Sequence, residues 1–235
     1  MAERPRPVVV HTLALAPVAA GALYAGEVRA RYESDLAFRI GGKVVERRVD
    51  VGAVVKPGQV LARLDPTDAG LNAEASRAQL AAAQNEYAFA KAEVERYRDL
   101  VGKNFVSRSV LDAKESAFKS ASARVEQARA QASVAGNQKD YTSLTADQPG
   151  VITAVAAEVG QVVKDSAPVM HLARDGEREV LIAVPESRVA DLRKAGSVEV
   201  RLWSAPNVAL RGRVREIAPS ADAATRTYAV RVTRS

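Results

Sequence analysis

Side chains able to carry acid–base, nucleophilic or metal chemistry are few and scattered in this chain. Its two histidines, His11 and His171, stand far apart in sequence. There is no cysteine, which excludes a disulfide framework, thiol catalysis and cysteine-held metals. No serine, histidine and acid fall at the spacing of a nucleophilic triad, and no glycine-rich phosphate loop is present. Met170 is the one methionine besides Met1, too few for a thioether metal site. No catalytic, cofactor-binding or metal-ligating residues are therefore expected, and His171 is assigned a structural or surface role. What remains is contact rather than reaction. The net charge of +6 and the pI near 9.7 give weak attraction to anionic surfaces. Glu74, Glu86, Glu93, Glu95 and Asp99 break up the basic residues, so no stripe for nucleic acid forms.

The elements that would present such contacts are set by a self-match at an offset of 108 residues. Gly42-Lys-Val-Val leads to Val51-Gly52, then Val54-Val55-Lys56, and ends at Leu64. Gly150-Val-Ile-Thr leads to Val159-Gly160, then Val162-Val163-Lys164, and ends at Leu172. Asp50 and Glu158 hold the same place before Val-Gly. Each copy predicts short strands punctuated by a glycine turn. A lone hairpin is marginal in water, so the two copies are expected to pack face to face as one small sandwich.

The insert between the copies is helical. Asp65 is a good N-cap and Pro66 a good first-turn residue. A seven-residue seam follows through Ala73, Leu80, Tyr87, Val94 and Val101, with Ser76, Ala83, Ala90 and Tyr97 three places on. Gly102-Lys103-Asn104 interrupts it, and Ser107 is placed to cap a second helix. That helix carries Leu111, Phe118, Val125 and Ala132, with Ala121, Ala128 and Ala135 as companions, and Gly136-Asn137 is expected to loosen its end. Two seams joined by a short turn must run antiparallel, as a coiled-coil hairpin about 50 Å long at 1.5 Å per residue.

After Ala173, strands are expected over Glu179–Val184, Val198–Trp203, Leu210–Ile217 and Thr227–Val232, with one short helix over Pro185–Leu192. Short strands around one helix suggest a small β-barrel. Its last strand abuts Ser235, so either the chain is a fragment or a strand over Gly21–Tyr32 returns to close the sheet. Val8 to Ala25 is interrupted by His11 and Pro17, too short and broken for a membrane span or a secretory signal. The fold class is thus α+β, multidomain and elongated: an antiparallel α-helical hairpin inserted in a β-sandwich, followed by a partial β-barrel.

Three stretches carry a family likeness: Leu36-Ala-Phe-Arg-Ile-Gly-Gly-Lys-Val-Val45, Val60-Leu-Ala-Arg-Leu-Asp65, and Ala218-Pro219 with Ala224-Thr-Arg-Thr227. With the order of elements, they make the chain resemble, from about Tyr24 onward, the periplasmic adaptors or membrane fusion proteins of resistance-nodulation-division efflux pumps. The resemblance implies that the sandwich is a lipoyl-like domain. Residues 1–19 would be an extended remnant of a membrane-proximal domain, with the Val8–Leu15 strand in it, and 20–34 an N-terminal strand of the barrel. Residues 35–65 would be the first half of the lipoyl-like domain, 66–142 the hairpin, 143–174 the second half, and 175–235 the C-terminally truncated barrel.

The family's hairpin-tip signature is an arginine, a leucine four on and a serine eleven on. Arg96, Leu100 and Ser107 match it and are implied to bind an outer-membrane channel. By themselves these three would be a solvated helix charge, a seam residue and a cap. A donor fork, an apolar knob and a hydroxyl suit docking onto carboxylates, a small notch and a close acceptor. A lipoyl or biotinyl carrier would need a lysine at the turn between its halves, and Pro66-Thr-Asp-Ala-Gly70 holds none. The resemblance implies no enzyme and no cofactor, but a homo-oligomeric adaptor of a tripartite multidrug efflux pump. It would sit in the periplasm, attached to the inner membrane in the full-length protein. Its partners would be an inner-membrane proton-driven transporter and an outer-membrane channel protein, not nucleic acid. The alternatives are an adaptor of an ATP-driven exporter and, behind it, a coiled-coil scaffold or nucleic-acid-binding protein.

Overall fold

The structure, a computed structural model, describes residues 22–234. The extended segment expected over 1–19 and its Val8–Leu15 strand lie outside the described residues. Residues 29–178 form one compact unit, and residues 179–234 with 22–28 form the other. The first described strand, β1 (Gly26–Ala30), belongs to the C-terminal sheet.

The sandwich takes four strands from before the helical insert and four from after it. The first four are β2 (Glu33–Ala37), β3 (Gly42–Arg47), β4 (Val54–Val55) and β5 (Val60–Leu64). The last four are β6 (Ser143–Thr145), β7 (Gly150–Val155), β8 (Val162–Val163) and β9 (Pro168–Arg174). They make two sheets, ordered β6-β5-β3-β8 and β2-β9-β7-β4. The 108-residue offset converts each sheet into the other: β3 into β7, β5 into β9, β4 into β8 and β2 into β6. Each half lends its shortest strand to the opposite sheet. Val54 pairs with Val151, and Gly42 with Val163. Neither half has a complete sheet without the other, which is why a long insert between them does not separate them.

The core repeats the same logic. Its sixteen buried side chains are eight equivalent pairs, among them Leu36 with Leu144, Val44 with Ile152, Val55 with Val163 and Leu64 with Leu172. The repeat therefore starts before Gly42, where Leu36 and Leu144 are nearly all that remains of the sequence match. Gly52 (φ 87°) and Gly160 (φ 92°) hold equivalent turns in the left-handed region, where a Cβ is unwelcome.

From the sandwich rise α1 (Thr67–Gly102) and α2 (Arg108–Asp140). The N-cap position of α1 is held by Pro66, one residue after the expected Asp65, whose Oδ1 accepts the Thr67 N–H at 3.0 Å and the Thr67 hydroxyl at 2.6 Å just ahead of the helix. Alanine, leucine, glutamate and arginine dominate both helices and favour them intrinsically. Every seam residue named from the heptads is buried or half-buried. The Tyr87 and Phe118 rings meet at 5.1 Å between centroids. Three ion pairs cross the hairpin: Arg124 to Glu86 at 3.0 Å, Lys114 to Glu93 at 2.7 Å and Arg98 to Glu115 at 2.8 Å. They set an antiparallel register that puts Val94 level with Lys114, nearer Phe118 than Val125. The looseness expected at Gly136-Asn137 is absent, because α2 runs on to Asp140. Asn137 O accepts the Tyr141 N–H at 2.9 Å, and Thr142 donates its hydroxyl to Lys139 O at 2.7 Å.

The other unit is built on β10 (Arg178–Pro185), α3 (Glu186–Lys194), β11 (Val198–Leu202), β12 (Ala205–Ile217) and β13 (Thr227–Arg234). Its sheet is ordered β1-β10-β13-β12-β11, with no pairing of β1 to β11 among the described residues. Ile182, Val184, Val189, Leu192, Val230 and Val232 form its core. The strand expected over Gly21–Tyr32 is cut to β1, because the chain bends after Ala30 and residues 33–37 pair with β9 in the sandwich. Glu179, 2% exposed, is held by Arg215 at 2.9 Å and Arg231 at 2.5 Å. Burial works against its charge. The hydrogen bonds from Arg231 and Arg215 outweigh that, and the carboxyl titrates below its ordinary value.

Candidate partner-binding site at the hairpin tip

The hairpin turns where helix propensity runs out. Gly102 is the last residue of α1, and Asn104 takes a left-handed φ of 59°, which asparagine tolerates better than most residues. The turn is tied back onto α1: Asn104 N–H donates to Val101 O at 2.9 Å, and Phe105 N–H to Leu100 O at 3.0 Å. Ser107 is extended at the N-cap position of α2 (φ −77°, ψ 156°). Its hydroxyl does not cap the helix as the sequence suggests. It pairs with the Ser109 hydroxyl at 2.8 Å and stays at the surface.

Arg96 and Leu100 lie one turn apart on α1, in its last two turns, and Ser107 opens α2 across the turn. Leu100 is half-buried. The Arg96 side chain is largely exposed but anchored, with one guanidinium nitrogen 3.1 Å from Glu93. Glu93 is buried and also receives Lys114 from α2. The Lys114 hydrogen bond holds the Glu93 carboxyl below its usual range despite desolvation, and Glu93 in turn raises Lys114. Lys114 also lies over the Tyr97 ring at 5.0 Å. A charged network therefore holds one arm of the Arg96 guanidinium and leaves the rest of its donor fork to solvent.

Lys114 and Phe105 were not singled out from the sequence, and Glu93 only as one of the acids that break up the basic residues. The i,i+3 spacing of Glu93 and Arg96 is a visible helix-pair signal, whereas Lys114 joins only through the hairpin register. Phe105 is 73% exposed in the turn, an aromatic where the sequence shows only a loop.

Elsewhere, His171 Nδ1 lies 2.6 Å from Asp35 Oδ1, a cross-strand pair of β9 and β2. Among the described residues no three histidine and carboxylate groups converge to hold a metal. No helix among them is long and apolar enough to cross a membrane.

Comparison with known proteins bears on both units. Residues 72–142 match the alpha-helical hairpin domain of RND membrane fusion proteins, and residues 180–234 match the CusB-like beta-barrel domain. The multidrug resistance protein MdtA of Klebsiella pneumoniae is 28% identical over 188 residues, 77% of this chain and 46% of that protein. The nodulation protein NolF of Rhizobium meliloti is 29% identical over 201 residues, 85% of this chain and 54% of that protein. The chain thus spans about half the length of the curated relatives it matches. The membrane fusion protein Spr0693 of Streptococcus pneumoniae shares the fold, with a TM-score of 0.68 at 20% identity over 89% of this chain and 92% of that one. On one chain and in succession, two stretches thus match the hairpin and beta-barrel domains of membrane fusion proteins of resistance-nodulation-division efflux pumps.

Proposed function

We propose that this chain is the periplasmic adaptor of a tripartite efflux pump, attached to the inner membrane, and that it joins a proton-driven inner-membrane transporter to an outer-membrane channel. The observation that carries the proposal is the hairpin. Its α1 alone is about 54 Å long at 1.5 Å per residue, and it ends in a turn that Arg96 and Leu100 precede and Ser107 follows. So long a pair of helices with so thin a seam is suited to reach, not to enclosing a reaction. The Arg96 fork would take carboxylates or carbonyls of the channel tip, Leu100 a shallow notch, and the Ser107 hydroxyl a close acceptor. Several adaptors around one channel would sum weak tip contacts through multivalency, so a homo-oligomer belongs to the proposal. Nucleic acid is disfavoured because Arg98, Lys114 and Arg124 are each paired with an acid of α1 or α2.

The test is drug susceptibility of a strain lacking its own adaptor and complemented with variants of this one. Arg96→Ala combined with Leu100→Ala and Ser107→Arg should abolish resistance while the circular dichroism of the purified protein is unchanged. Alanine is the better choice at position 96, since an acid there would face the Glu93 carboxylate. Full resistance from the triple variant would refute tip docking.

A further inference from the structure

Trp203 is the only tryptophan in the chain, and 95% of it is exposed. It stands in the two-residue turn between β11 and β12, at the apex of a hairpin on the edge of the C-terminal sheet. Pairing slips at this apex: Leu202 faces Ala205, whereas Arg201 faces Ala209. Residues Pro206 to Val208 therefore bulge out of the ladder, and Val208 there is half exposed. Behind the apex, side chains alternate. Val198, Val200 and Val214 pack on the core, while Arg201, Arg211 and Arg213 are exposed on the other face. Arg201 is bridged to Glu199 at 2.5 Å, but among the described residues no hydrogen bond or ion pair engages Arg211 or Arg213. The region is basic as a whole, with ten arginines and lysines against six acids over residues 179–234.

We propose that this apex binds the interface of an anionic lipid bilayer, with Trp203 and Val208 at the level of the head groups and Arg211 and Arg213 against lipid phosphates. An indole has an apolar body and one N–H donor, which suits the boundary between acyl chains and head groups. Unpaired guanidinium groups on the adjoining face supply the charge complementarity to an anionic surface. A protein partner would call for a contiguous apolar patch, and here one ring and one valine protrude from a narrow turn with cations behind them. The proposal does not depend on the hairpin tip, which lies in the other unit.

The lone tryptophan makes the test direct. The whole chain is mixed at low salt with vesicles of phosphatidylglycerol and phosphatidylcholine, or of phosphatidylcholine alone, and tryptophan emission is recorded. Anionic vesicles should shift the emission to shorter wavelength, and lipids brominated in the acyl chain should quench it. Neutral vesicles should do far less. Cosedimentation with anionic vesicles should be lost in Trp203→Ala and should fall by about tenfold or more in the Arg211→Glu, Arg213→Glu double variant. Emission that stays unchanged with anionic vesicles would overturn the proposal. So would Trp203→Ala cosedimenting as well as the parent, or a shift produced by the purified transporter but not by lipid. The quenching readout uses the unaltered chain and does not depend on any variant folding.

Discussion

The sandwich encloses sixteen buried apolar side chains drawn in pairs from two copies of one motif. The hairpin, with 36 residues in α1 and 33 in α2, buries seven side chains, of which four are alanines and one is Glu93. Both belong to the same unit, and they are ordered by different means. In the sandwich, exchanged strands make each half a requirement of the other, so order is global. In the hairpin, each turn of seam touches only the turn opposite, and cross-helix ion pairs fix the register. Stability is therefore concentrated in the sandwich, and the tip is free to vary in chemistry at little cost to the fold.

The contrast is broken most severely from the sandwich side. Ile152→Ala removes a fully buried side chain at the centre of the repeat. It should cost about 2–5 kcal/mol in equilibrium denaturation. A loss confined to the sheet amides, with the hairpin unchanged in hydrogen exchange, would show that the two are not one cooperative unit. Phe118→Ala removes a half-buried ring that faces Tyr87 at 5.1 Å. It should cost less, about 1–3 kcal/mol, with exchange accelerated first in the adjoining turns of α1 and α2.

Acid should loosen the hairpin as well. Glu93 titrates below its ordinary value of 4.5 because Lys114 bonds its charged form. A group depressed in this way contributes stability above its unfolded value and loses it as pH falls through the folded one. The hairpin's helical signal should therefore weaken below about pH 4.5, although Glu46 in β3 and Asp65 at the foot of α1 are lowered in the same direction and add their own dependence. In Glu93→Gln the step should shrink, as followed by circular dichroism against pH. The smallest effect belongs to the tip: Arg96→Ala should change stability by less than about 0.5 kcal/mol.

The same contrast governs what was legible in the sequence. Periodicity is a local signal, so the seam from Ala73 to Val101 and from Leu111 to Ala135 could be read directly. The repeat was legible from Gly42, where identical residues recur in order. Its earlier part was not, because β2 and β6 share the Leu36 and Leu144 positions but little else. Strand exchange between the halves is long-range and leaves no local mark. Gly136 misled because its helix is held by groups beyond it, at Tyr141 and Thr142. At the tip, Arg96, Leu100 and Ser107 were named only through the signature of the family that the chain resembles, and by themselves they read as a helix charge, a seam residue and a cap. The burial of Glu93 and its bond to Lys114 depend on register, and the exposure of Phe105 on the shape of the turn.

If the tip docks on the outer-membrane channel as proposed, Ser107 must lie within reach of that channel. The chain has no cysteine, so a single cysteine at the exposed Ser107 can carry a photoactivatable cross-linker without ambiguity. Ser107→Cys is labelled in cells containing the transporter and the channel, with the same label placed on α1 near the sandwich at Asn72→Cys for comparison. A cross-linked product containing the channel is expected from position 107 and none from position 72. A channel product from both positions, or from position 72 alone, would contradict tip docking.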